Sequence, residues 1–175
     1  MKQINSLTGM ADLIEDKSKP DELAIKVFHT EETLKKIFKS FAMSEIRTPA
    51  LESTNLFKRS VGDTSDIVNK ELYTFSDKND KSITLRPEGT ASVIRSIVEK
   101  KLDGETHKLW YMGPMWRYER PQKGRFRQFY QAGVEILGYP EGTSEFEMIS
   151  LVCELNRKLL IKKPLIKINH LGDSE

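Results

Sequence analysis

The stretch from residue 108 to residue 137 constrains the fold most, because it spells two runs of strand-like alternation joined by one short charged loop. The spacing predicts strands over roughly 108–119 and 127–137 around "RPQKGRF", a loop punctuated by Pro121 and Gly124. Strands joined so closely pair antiparallel, so the chain must contain a sheet with two chemically different faces. Side chains alternate across a strand, which puts Arg127, Phe129, Gln131, Gly133 and Glu135 on one side. Gln128, Tyr130, Ala132, Val134 and Ile136 take the other, which reads as mainly core. A symmetric pairing about the loop sets Glu119 opposite Arg127, Arg117 opposite Phe129 and Met115 opposite Gln131. Arg117, Glu119, Phe129, Gln131 and Glu135 then converge on one face, unless a one-residue bulge breaks the register.

That face has a chemistry. Residues 115–127 hold five basic side chains and one acid, yet the whole chain has 28 Lys+Arg against 26 Asp+Glu, a net charge of +2. A globally basic nucleic-acid binder is thereby disfavoured, and any polyanion site must be local. Arg117 suits a forked contact to phosphate or carboxylate, Arg125 can reach outer phosphates, and Phe129 offers a flat face to a base. Gln131 and Glu135 suit a small polar ligand, the carboxylate favouring an amine. Against this stands an exposed basic hairpin with Phe129 filling a gap and Glu135 paired to a lysine. Periodicity alone does not name a reaction.

The remaining chain reads as one α+β domain with a largely antiparallel sheet; 175 residues suffice for one core. Ser18 and Asp21 precede a helix of about twenty residues in which Leu23, Val27, Leu34, Phe38 and Phe41 share a face. "SEIRTPAL" then suits a strand through Ile46 and Thr48, with Pro49 at an edge or bulge. Residues 53–82 read as mostly loop and hairpin around the short strand "ELYTF" and the turn "SDKND". "SITLRPEGT" reads as strand into helix, with Pro87 in the first turn, Glu88 and Thr90 at the junction, and Ala91, Ile94, Val98 and Leu102 on one face. Ser144 and Glu147 form a possible capping box for a helix whose face carries Ile149, Val152, Leu155 and Leu159, and "LIKIN" after Pro164 reads as a strand. The single cysteine, Cys153, is expected to be a buried structural thiol, compatible with a reducing cytosol. His29, His107 and His170 have no partner at ligand spacing, so no protein-held metal is expected. No export signal and no membrane span are read from the sequence.

At these residues the sequence resembles the histidyl-tRNA synthetases, class II aminoacyl-tRNA synthetases of the bacterial type. "GPMWRYERPQKGRFRQFYQAGVEILG" is similar to their motif 2, "TLRPEGT" to their histidine-site segment and "SEIRTPALE" to the end of motif 1; "LFKRSVGDTSDIVNKELYTF" and "LTGMADL" are similar too. The resemblance implies a class II antiparallel sheet flanked by helices, cytoplasmic, dimeric through the motif 1 helix and strand, and acting on histidine, ATP with Mg2+, and tRNA(His). It implies that Arg117 is the catalytic arginine, contacting the α-phosphate of ATP and the histidine carboxylate. Glu119, Arg125 and Phe129 become the other nucleotide contacts, with Phe129 on adenine. Glu88, Gly89, Thr90, Gln131 and Glu135 lie around the substrate histidine, and the loop 120–126, with Arg120, Gln122 and Lys123, approaches the tRNA acceptor end.

Two departures stand out. Motif 1 commonly has glycine after an aromatic residue, whereas Ala42 follows Phe41 here. Residues 1–175 also match only the N-terminal portion of the catalytic domain, motifs 1 and 2, without motif 3 or an anticodon-binding domain. The chain alone is therefore expected to be inactive or severely impaired. Two other readings stay open: a non-catalytic histidine-binding regulatory paralogue on the same core, and a stand-alone nucleic-acid module built on the basic loop.

Overall fold

The computed structural model describes residues 4–16, 18–62, 65–120, 122–140, 142–160 and 165–169. Helix α1 (Glu22–Ser40) starts where Asp21 Oδ1 accepts from the backbone N–H groups of Leu23 (2.8 Å) and Ala24 (3.2 Å), satisfying two orphan donors of the first turn. Ser18 takes no part and bonds Asp16 instead. Two short strands follow, β1 (Ser44–Glu45) and β2 (Leu51–Ser53), separated by the Pro49 segment. Then come α2 (Thr54–Val61), a π-helical turn (Ile67–Glu71), the hairpin β3 (Thr74–Ser76) and β4 (Ser82–Leu85), and α3 (Thr90–Glu99). The long strands β5 (His107–Trp116) and β6 (Gln128–Leu137) and helix α4 (Thr143–Lys158) complete the order.

The strands form two three-stranded sheets, ordered β1-β5-β6 and β2-β4-β3. All pairs are antiparallel except β1 with β5. Arg86, just after β4, links the sheets: its N–H donates to Ala50 O at 2.9 Å and its carbonyl accepts from Trp116 N at 3.1 Å. Its guanidinium donates to the carbonyls of Thr48 and Pro114.

The β5–β6 pair separates two cores. On one face Trp110 packs with Ile37, Phe38, Met43 and Leu151, bringing α1 and α4 against the sheet, and the Phe38 and Trp110 rings stack at 5.2 Å. On the other, Tyr111 and Met115 pack with Val93 of α3, joined by Leu109 and Phe129. The expected core face of β6 is core only towards its end: Val134 and Ile136 pack inward, while Tyr130 and Ala132 border a cleft of about 230 Å³ beside α1.

The register differs from the symmetric expectation. Met115 pairs Phe129 and Gly113 pairs Gln131, a slip of two residues, and Arg117 N donates to Arg127 O at 3.0 Å. A slip of two preserves every side chain's face, so the grouping of residues stands while the opposite partners change. The cause is the tip: Gln122 and Arg125 exchange backbone hydrogen bonds in a tight turn, and the N–H groups of Arg127 and Gln128 both donate to Gly9 O, at 2.8 and 3.0 Å.

Other local expectations need correction. Residues 54–61 are helical, not loop: Phe57 is fully buried, and Thr54 joins a hydroxyl cluster with Ser82 and Thr84. Ser53 at the N-cap makes no side-chain capping bond, so the usual start signal is absent. Helix α3 begins at Thr90, leaving buried Pro87 outside it, and turns Ala91, Val93, Ser96 and Ile97 inward while Ile94 and Val98 are exposed. The small inward residues let the helix lie close to the sheet, which an apolar-period count does not register.

In α4 the capping box does not form. Gly142 holds the N-cap, and Glu147 pairs with Lys108 at 2.7 Å. Leu151 and Leu155 face the core, Val152 is exposed, and so is Cys153, on the helix's solvent side. Residues 165–169 join no strand; Ile166 instead lies beside Met148, Ile149 and Val152. Pro164 and His170 lie outside the described residues. Among the described residues no helix is long and apolar enough to cross a membrane.

Candidate functional site

The site is built where the loop entering α3 meets the ligand-facing side of β6. Glu88 precedes α3 and accepts from the N–H groups of Thr90 (2.6 Å) and Ala91 (3.0 Å), so it caps the helix, as its position at a positive dipole end favours. Thr90 reaches across to β6, its hydroxyl donating to Glu135 Oε1 at 2.7 Å. Four residues back on the same face of β6, Gln131 keeps its Oε1 buried and without a hydrogen-bond partner. Such an orphan costs about 1–3 kcal/mol, so it marks a place where a donor is wanted.

Burial pushes the Glu135 carboxyl above its ordinary value; the Thr90 hydroxyl opposes this and the Glu88 charge adds to it. A cation brought beside Glu135 would offset the penalty on its charge, and a donor brought to Gln131 would fill the orphan acceptor. The Glu135 carboxyl is therefore suited to an ammonium group.

Arg117 stands at the other end of the face. Its Nε donates to Pro87 O at 3.0 Å, and its guanidinium carbon lies 5.1 Å from the Phe129 ring centroid. Held by one carbonyl and one ring, it keeps its remaining N–H donors for an anion. Glu119 meets Arg125 at 3.2 Å, with Arg125 largely exposed, so this pair contributes little to stability and can open for a ligand. Beside them the Arg127 guanidinium lies 4.2 Å from the Tyr118 ring centroid and donates to Glu119 O at 3.3 Å. Arg120, Gln122 and Lys123 are exposed at the tip, and Pro121 lies outside the described residues.

Of the residues singled out from sequence, Glu88, Thr90 and Glu135 are linked directly, Gln131 lies four residues from Glu135 on the same face of β6, and Arg117 with Phe129 and Glu119 with Arg125 form two further pairs. Glu119 does not sit opposite Arg127; the register sets the Arg117 backbone there. Sequence reasoning missed Tyr111, whose ring lies between Gly89 and Gly133 at the base of this cluster. The signal was available as a large residue on the strand adjacent to a glycine, but only the correct register, Tyr111 opposite Gly133, exposes it. It also missed Gly9 as the backbone acceptor that holds the loop end. Among the described residues no group of three or more His, Cys, Asp and Glu side chains gathers as a metal cage.

Comparison with known proteins follows the same residues. A family model described as histidyl-tRNA synthetase matches residues 14–172. A histidine-tRNA ligase of Desulfitobacterium hafniense (strain DSM 10664 / DCB-2) is 56% identical over 144 residues, 81% of this chain and 34% of that protein. One of Prochlorococcus marinus (strain MIT 9515) is 47% identical over 174 residues, 99% of this chain and 39% of that one. The structure of apo S. aureus histidyl-tRNA synthetase superposes with a TM-score of 0.73 at 36% identity, covering 91% of this chain and 36% of that one. An ATP phosphoribosyltransferase regulatory subunit/histidyl-tRNA synthetase from Bacillus halodurans shares the fold, with a TM-score of 0.71 at 21% identity, covering 91% of this chain and 39% of that one. The chain spans between a third and two-fifths of the length of these relatives.

Proposed function

The chain belongs to the histidyl-tRNA synthetase family, and from that membership we propose that it supplies the motif 1 and motif 2 part of a histidine-tRNA ligase site that activates histidine with ATP and charges tRNA(His). The observation that carries this reading is the presence of an unsatisfied buried acceptor on Gln131 and the Glu135 carboxylate on the same sheet face as Arg117, whose guanidinium keeps donors for an anion. An amino acid has the matching pair of charges, ammonium and carboxylate.

In this reading the histidine amino group donates to Gln131 and to the acidic groups around Thr90, while Arg117 draws its carboxylate towards the α-phosphorus of ATP. The carboxylate oxygen attacks, a mixed anhydride forms and pyrophosphate leaves. No protein nucleophile is needed: the groups align two anionic reactants and neutralise charge that grows in the transition state. Phe129 receives adenine on the ring face that Arg117 leaves free, Glu119 and Arg125 part to contact the nucleotide, and Gly89, backed by the Tyr111 ring, borders the amino acid. Arg120, Gln122 and Lys123 meet the acceptor end of tRNA.

Magnesium enters as part of the ATP complex, where it screens phosphate charge. In this reading it rides on the substrate. The working protein is proposed to be a cytoplasmic homodimer joined through α1 and the following strand.

The test is histidine-dependent ATP–pyrophosphate exchange by the complete gene product carrying these residues. Exchange is expected, with Arg117→Lys reducing it about 10²-fold, because a planar forked contact is lost while the charge is kept. The 175-residue chain alone is expected to be severely impaired. Histidine binding with no response to ATP would instead favour a regulatory paralogue, and undiminished exchange by Arg117→Lys would refute the assigned role.

A further inference from the structure

The acceptors proposed for the amino acid come from two separate elements: Glu88 and Thr90 from the entry to α3, Gln131 and Glu135 from β6. Their separation must be fixed by something, because one hydrogen bond between Thr90 and Glu135 leaves the loop free to pivot about it. Tyr111 is the side chain in position to do this. Its ring lies against the backbone of both elements: a Cβ placed on Gly89 would fall 2.1 Å from Tyr111 Cε2, and one placed on Gly133 would fall 2.3 Å from both its Cζ and its hydroxyl. Neither distance is compatible with any side chain. Two glycines from different elements thus form a slot that the ring fills, and the register puts Tyr111 directly opposite Gly133.

The ring is anchored as well as confined. It is buried, at 7% exposure, and packs with Val93 of α3 and Met115 of its own strand. Its hydroxyl is desolvated by burial, which pushes its pKa above the ordinary value and keeps it neutral, and interacts with the Thr90 hydroxyl that also serves Glu135.

We propose that Tyr111 is a positioning residue for the amino-acid half of the site: a spacer whose ring thickness, admitted by Gly89 and Gly133, sets the distance between the Glu88–Thr90 turn and the Gln131–Glu135 face. This rests on the ligase reading for the identity of the ligand, though the spacer itself rests on geometry alone. Tyr111→Phe keeps the ring and loses only the hydroxyl. Tyr111→Ala removes the spacer, and Gly133→Ala puts a methyl group where the ring already is.

The test uses the complete gene product in two measurements. In the exchange assay, Tyr111→Ala raises the KM for histidine about tenfold or more while the KM for ATP changes by no more than about twofold, and Tyr111→Phe recovers most of the histidine affinity. A general structural defect would move both constants together, and that result overturns the proposal.

The second measurement is a double-mutant cycle in urea unfolding. Gly133→Ala is strongly destabilising beside Tyr111 and nearly harmless in the Tyr111→Ala background, so the two costs are not additive. Additive costs would refute the slot whatever the exchange assay reports. Should the unsubstituted protein show no histidine-dependent exchange, the ligase reading and the named ligand fall, and the cycle still decides whether the spacer exists.

Discussion

Replacing Ala42 by glycine should stabilise the protein, and the size of the gain follows from the end of α1. The helix closes with the N–H of Met43 on Phe38 O at 3.0 Å and that of Ala42 on Lys39 O at 3.1 Å, the bond pair that caps a helix when the residue after the C-cap turns left-handed. That residue is Ala42, at φ 54°. An L-residue in this region pays about 1–2 kcal/mol in contact between Cβ and the backbone. Glycine escapes that cost, but its unfolded chain has more freedom to lose, about 0.4–1 kcal/mol. Ala42 is exposed, so deleting its methyl group removes little packing. The net gain is about 0.5–1 kcal/mol, which for a chain of this length raises Tm by about 1–4 °C. Thermal unfolding of the 175-residue chain followed by circular dichroism measures this, with Ala42→Val as the opposite control, expected to lower Tm. An unchanged or lower Tm for Ala42→Gly would mean that the turn carries no backbone strain.

Three further outcomes are expected. Because burial raises the Glu135 carboxyl, the native state keeps that proton longer than the unfolded chain does; the stability from it is full below the ordinary value of 4.5 and is lost as pH rises through the raised one. Glu135→Gln should flatten that decline in melts across the acidic range, and an unchanged slope would contradict the assignment. Arg95→Ala strands Glu52, which is 8% exposed and held by two bonds from Arg95 at 2.7 and 3.1 Å; urea unfolding should show a loss of about 2–3 kcal/mol, and under about 0.5 would refute the pairing. Gly9→Ala should destabilise by about 1–2 kcal/mol and speed proteolysis of the loop, because at φ 79° a Cβ would crowd Arg127 within 3.0–3.2 Å; equal cleavage rates would show that Gly9 does not hold the loop.

Much of the candidate site was legible in the chain. The pleat fixes which side chains of one strand share a face whatever its partner does, so Phe129, Gln131 and Glu135 could be grouped before any pairing was known; the symmetric pairing that added Arg117 was off by two residues, an even slip that keeps the face. The helix start at Asp21 was equally legible, because an N-cap is a contact between neighbours in sequence. Helix α2 was not: it lacks a capping side chain and exists because Phe57 finds a buried seat and Thr54 a hydroxyl network built by β4. The inward face of α3 was read correctly at Ala91 and misread beyond it for a related reason, since Ser92 and Ser96 go inside by letting the helix come close, not by being the most apolar residues available.

By itself, then, the sequence determined the properties that depend on near neighbours: strand parity, the distribution of arginine and carboxylate along one face, and family membership through short motifs. Tertiary structure decided which distant residues meet. It set the register through the tight tip turn and the Gly9 carbonyl, turned Cys153 to solvent, and placed Tyr111 between two glycines that lie 22 residues to one side of it in sequence and 22 to the other. Those outcomes depend on how closely backbones approach, a quantity that periodicity and composition do not contain.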